Sequence, residues 1–316
     1  MTTAEIYQLA IKLGIEADLR GQASVREHLR YVKKQYRQLS KTAKVDFDLE
    51  KLTNPYADSR ILVDLTRGQI KKVLAGIDME GPELLAAKQL GDIDLVIAHH
   101  PEGLGLAGLS EVMDLQADVL ANYGVPINIA ESVIKPRISE VSRGVSPINH
   151  DRAVDMAKLL GLDFICVHTP ADNLGARYLV DLIKNKQAKL KRVGDLVKLL
   201  STIPEYASAA KHKAGPTLFA GQADNHCGKI AVTEFTGGTS GSKDIYEKMV
   251  NFGIGTVVGM HMSEEHRREA EKNHINVVIA GHMASDSLGM NLLLDQLEKV
   301  GIEVVATSGL IRIKRN

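Results

Sequence analysis

Three apolar runs in this chain end in histidine: LVIAHH at His99 and His100, FICVH at His168, and VVIAGH at His282. The last two continue alike, His168-Thr-Pro-Ala-Asp172 and His282-Met-Ala-Ser-Asp286, both His-x-x-x-Asp. Neutral imidazoles with carboxylates form a ligand set for divalent Zn, Mn, Fe, Co or Ni. Four such rings and two carboxylates exceed the three protein ligands usual for one open catalytic zinc. They suit two ions about 3.5–4 Å apart with a carboxylate or water between them. A water so held loses a proton near neutral pH, and the resulting hydroxide attacks phosphoryl, acyl or ring-carbon electrophiles. Taken singly, each histidine reads as a partly buried residue and each aspartate as a helix cap. The repetition is what points to a shared site.

The elements that must position these residues alternate. QIKKVLAGID, DLVIAHHP, VPINIAES and DFICVH read as strands, and GPELLAAKQLG, SEVMDLQADVLANYG and HDRAVDMAKLLG as helices. The pattern resumes with TVVGMH, SEEHRREAEKNH, NVVIAGH and IEVVATSG. Such alternation defines an α/β fold, in which ligands gather beyond the carboxyl ends of the strands. Neighbouring strand residues face opposite ways. His99 and His100 therefore share a site only if the strand stops there, and Pro101 favours a stop. We read residues 1–55 as an N-terminal helical extension and 56–183 as a first α/β lobe, to which a strand at 302–316 returns. Residues 184–301 form a second lobe, with the metal cleft between the two.

Composition narrows the partners. Thirty-nine basic residues balance thirty-nine acidic ones among 316, which argues against a nucleic-acid protein. No apolar run reaches the roughly 18 residues of a membrane span. The start is polar and amphipathic, unlike a secretory leader. Cys166 and Cys227 form no CxxC pair and read as reduced thiols of a cytoplasmic protein.

Further candidates each have a plain structural alternative. TGGTSG at 236–241 joins a strand to a helix, and Gly237, Gly238 and Ser240 are candidates to hold an anionic part of a small substrate on backbone N–H groups; otherwise the segment is a tight turn. His266 is the candidate proton shuttle, in a segment where Ser263 caps a helix and Glu264 and Glu265 suit its first turn. His261 closes another strand and faces the same cleft. Asn149 or His150 starts a helix, and His212, His226 and His274 have no supporting constellation. The basic stretch Arg26–Lys44 is a solvated helix face or a surface for a subunit or an anion.

In their order and spacing, GID at 76–78, AHHP at 98–101, HTPAD at 168–172, TGGTSG and AGHMASD at 280–286 resemble the dinuclear-metal proteins named for Ngg-interacting factor 3, often labelled GTP cyclohydrolase I type 2 homologues. The likeness covers Arg60–Asp172 and Lys229–Gly309. It implies ligation by His99, His100, His168, Asp172, His282 and Asp286, and a homohexameric toroid. Where the family has glutamate this chain has Asp286, one methylene shorter, which favours terminal ligation over bridging. The expected function is a metal-dependent hydrolase acting on a small anionic or nucleotide-like substrate. The alternative is a non-enzymatic metal-binding scaffold or regulator.

Overall fold

The computed structural model describes residues 1–65 and 68–315. The chain begins with helices α1 (Thr3–Ala17), α2 (Gln22–Gln38) and α3 (Lys41–Val45). Strands β1 (Ser59–Val63) and β2 (Lys72–Gly76) lead through α4 (Gly81–Leu90) to β3 (Leu95–Ala98). Four helices follow, α5 (Gly103–Ala107), α6 (Asp114–Asn122), α7 (Ile127–Val145) and α8 (Arg152–Leu160), and then β4 (Asp163–Val167) and α9 (His168–Lys186). Next come α10 (Val193–Leu200), α11 (Pro204–Ala210), β5 (Thr217–Ala220), β6 (Lys229–Val232), α12 (Ile245–Asn251) and β7 (Ile254–Gly259). The chain closes with α13 (Glu264–Lys272), β8 (Asn276–Ile279), α14 (His282–Lys299) and β9 (Glu303–Thr307).

The strands form two sheets, ordered β1-β4-β3-β2-β9 and β5-β8-β7-β6. β2, β3, β4 and β9 run parallel in the first, and β6, β7 and β8 in the second. β3, β4 and β8 are buried at every position, which is why they read as unbroken apolar runs. Helices α9 and α14 form a layer between the sheets. One side of α9 packs with Ile97, Ile165 and Val73 of the first sheet, and the other with Val232, Val258 and Val278 of the second. α1 shares that interior through Ile6, Ala10 and Ile11. It is anchored by a Thr2–Glu5 capping box. On the outer face of the second sheet lie α6 and α7, whose Ala117, Leu120, Ala130 and Ile134 pack with Ala231, Val257 and Val277. The chain between β3 and β4 thus reaches across to the other lobe.

Two differences from the sequence reading matter. VPINIAES is not a strand but the start of α7, with Ala130, Ile134, Val141 and Val145 buried at helical spacing. The alternation Val125, Ile127, Ile129 is a fragment of that longer period. α9 and α14 also begin at His168 and His282 themselves, so each His-x-x-x-Asp motif is a first helical turn whose two side chains share a face.

Candidate metal centre

The two motifs meet because α9 and α14 cross closely. A Cβ on Gly289 would lie 2.2 Å from the Ala171 carbonyl oxygen, and one on Gly175 would be 3.5 Å from the Gly289 nitrogen. Beside these helix starts, β3 stops at Ala98, and the backbone nitrogens of His99 and His100 donate to the carbonyls of Gly76 and Ile77. Both rings then turn to one side, with centroids 5.3 Å apart.

The six residues named from sequence come together. His99 Nε2 is 3.4 Å from Asp172 Oδ1 and 3.5 Å from Asp286 Oδ1. Asp286 Oδ2 is 3.6 Å from both His100 Nε2 and His282 Nε2, and His168 Nε2 is 3.7 Å from Asp172 Oδ2. Three overlapping triads result: His99, His100 and His168; His100, His282 and Asp286; His99, Asp172 and Asp286. Two ligands sharing an ion through bonds of about 2.1 Å stand about 3–3.5 Å apart, close to these separations. Asp286 addresses different histidines with its two oxygens, so its shorter side chain still reaches between the ligand groups.

Both ring nitrogens of His99, Oδ1 of Asp172 and both oxygens of Asp286 are buried without a hydrogen-bond partner. Buried polar atoms are rarely left so, and divalent ions would satisfy these atoms. The electrostatics agree. Burial opposes a charge on His99, yet Asp286 and Asp172 raise it to about 10. Burial likewise opposes the Asp286 charge, but His99, His100 and His282 hold its carboxyl well below the usual range. The cluster calls for positive charge.

Outer carboxylates set the rings, and sequence reasoning had not assigned them. Asp58 Oδ2 is 2.8 Å from His168 Nδ1 and accepts from Thr169 Oγ1 at 2.6 Å. Asp78 Oδ1 is 2.6 Å from His100 Nδ1, while Ser308 Oγ donates to the Asp78 carbonyl at 2.5 Å. Each leaves Nε2 to face the cluster, an arrangement common among metal-binding histidines. Asp78 follows β2, so the strand-end rule that found the histidines would have found it too.

Gly238 and Thr239 line the same cavity as His168, Asp172, His282 and Asp286. His261 lines it as well, its ring 4.7 Å from that of His282 and its Nδ1 3.2 Å from Ser240 Oγ. Burial, with His282 adding, lowers His261 to about 4. His266 is placed differently. Its Nδ1 is 2.7 Å from Ser263 Oγ and its Nε2 3.1 Å from the Gly241 carbonyl, so both nitrogens are engaged away from the cluster. Ser263 caps α13, accepting from the His266 nitrogen, and Glu264 and Glu265 pair on the surface with Arg267 and Lys243. His150 turns to the Val145 carbonyl.

A two-sheet α/β protein with a histidine–aspartate cluster between its lobes is thereby defined. The family model Duf34/NIF3 (NGG1p interacting factor 3) matches residues 145–309. A crystal structure of an NIF3 superfamily protein from Sphaerobacter thermophilus is 30% identical, with a TM-score of 0.79 over 98% of this chain and 99% of that one. Reduced HcgD from Methanocaldococcus jannaschii shares the fold at 14% identity, with a TM-score of 0.51 over 80% of this chain and 93% of that one. Comparison with curated proteins gives no match. The chain belongs to the DUF34/NIF3 family.

Proposed function

We propose that this protein holds two divalent ions and hydrolyses a small anionic or nucleotide-like substrate at them. The observation that carries this reading is the convergence of buried, unpartnered ligand atoms on one cleft wall. His99, His100, His168, Asp172, His282 and Asp286 would hold the ions. Bound ions would supply Lewis-acid charge and acidify a water. The protein's own part is orientation: Asp58 and Asp78 fix rings, and His261 with Ser240 lies where it can hydrogen-bond a substrate. An anionic group falls to the loop of Gly237, Gly238 and Ser240. The homohexamer belongs to the same proposal, tested by light scattering of the metal-loaded protein. So does the cytoplasmic setting, which rests on the two free cysteines. Among the described residues, no helix is long and apolar enough to cross a membrane.

The second reading, a metal-binding scaffold without turnover, draws on His266, the proton shuttle expected from sequence, whose two ring nitrogens are taken. A panel of phosphoesters, nucleotides and amides, assayed with Mn, Zn, Fe and Co, separates the two. Turnover that disappears in His100→Ala supports the hydrolase. A metal-loaded protein silent on the whole panel supports the scaffold.

A further inference from the structure

The loop after β6 treats its acceptors and its donors differently. Gln116 of α6 donates its side-chain amide to the carbonyls of Gly237, at 2.8 Å, and Thr239, at 2.6 Å. Arg137 of α7 donates Nε to the Ser240 carbonyl at 3.1 Å, and His266 holds that of Gly241. Among the described residues, the backbone N–H groups of Gly237, Gly238, Thr239 and Ser240 have no partner.

Geometry fixes where two of them point. No peptide here is cis, and across a trans peptide the carbonyl and the following N–H are opposed. By taking the Gly237 and Thr239 oxygens, Gln116 turns the N–H groups of Gly238 and Ser240 away from α6. Gly238 and Thr239 line the cavity that also holds Asp172, His282 and Asp286. The glycines are needed for this: φ is 89° at Gly237 and 86° at Gly238, and a Cβ on Gly238 would stand 2.8 Å from the Leu109 carbonyl oxygen. With the carbonyls of Gly237, Thr239 and Ser240 occupied, a ligand that suits these donors is one made of acceptors.

We propose that this loop binds the phosphate oxyanion of a phosphomonoester substrate, and that Gln116, reaching across from the other half of the chain, is the positioning residue that presents it. The proposal deepens the hydrolase reading and rests on it, since the ions would face the same oxyanion. Glu234, in the wall of the same cavity, does not oppose it strongly: burial raises its carboxyl, which accepts the Gly241 N–H.

The test is calorimetric titration of inorganic phosphate into the metal-loaded protein, with metal content measured on each sample. Wild type should bind, and Gln116→Ala and Gly238→Ala should bind at least tenfold more weakly with metal content unchanged. Gly238→Ala decides the matter where Gln116→Ala fails to fold. A folded, metal-loaded Gln116→Ala that binds phosphate like wild type overturns the proposal, as does a metal-loaded wild type that binds none. A wild type that takes up no metal defeats instead the reading beneath it.

Discussion

Asp58 Oδ2 lies 2.8 Å from His168 Nδ1, and this contact decides which ring nitrogen faces Asp172. The carboxylate is fully buried and also holds Thr169, so it locks the first turn of α9 as well as the ring.

Asp58→Asn should therefore leave the ligand set intact and weaken metal retention by about 10–100-fold. Competition against a chelator of known affinity measures this. Retention equal to wild type would show that the ring needs no such partner.

The two interior glycines give opposite expectations. Gly289→Ala drives a methyl into the Ala171 carbonyl at 2.2 Å; it should cost about 3 kcal/mol and displace Asp172 and Asp286 from each other. Gly175→Ala meets only ordinary contacts at 3.5 Å and should be neutral or gain up to about 1 kcal/mol from helix propensity. Urea unfolding of both variants, with metal content, checks the pair.

Stripping metal should lower the melting temperature, because ions that bind only the folded chain stabilise it by about 2.7 kcal/mol at a hundredfold excess over Kd. Scanning calorimetry with and without chelator, in wild type and His100→Ala, should show a smaller difference in the variant than in wild type.

Much of this centre was legible in advance, for a physical reason. Strands buried on both faces leave unbroken apolar runs, so β3, β4 and β8 announced their ends and the histidines standing there. What remained hidden depended on contacts remote in sequence. Asp58 and His168 are 110 positions apart. Gln116 meets a loop more than a hundred residues on, because α6 and α7 pack on the second sheet. His266 looked like a shuttle by residue type alone, and only packing shows Ser263 and Gly241 occupying its nitrogens.

Glu234, in the cavity wall but not among the proposed ligands, gives a pH test. Burial raises its carboxyl above the ordinary 4.5, although His266, the Gly241 N–H and Arg137 act against the rise; Tyr246 of α12 faces the same charge. The folded chain thus holds this proton more tightly than the unfolded chain. The stability this group contributes is fully present below about pH 4.5 and is lost as pH rises through the folded pKa. Glu234→Gln should flatten that decline in urea-unfolding free energies. An unchanged slope would place the titration elsewhere.

Metal stoichiometry is the most direct test of the centre itself. Protein purified and then exposed to Zn, Mn, Fe, Co or Ni should carry two equivalents per chain by mass spectrometry, and at most one in folded Asp286→Ala. Wild type that retains no ion, or a variant that retains the full complement, would contradict the account.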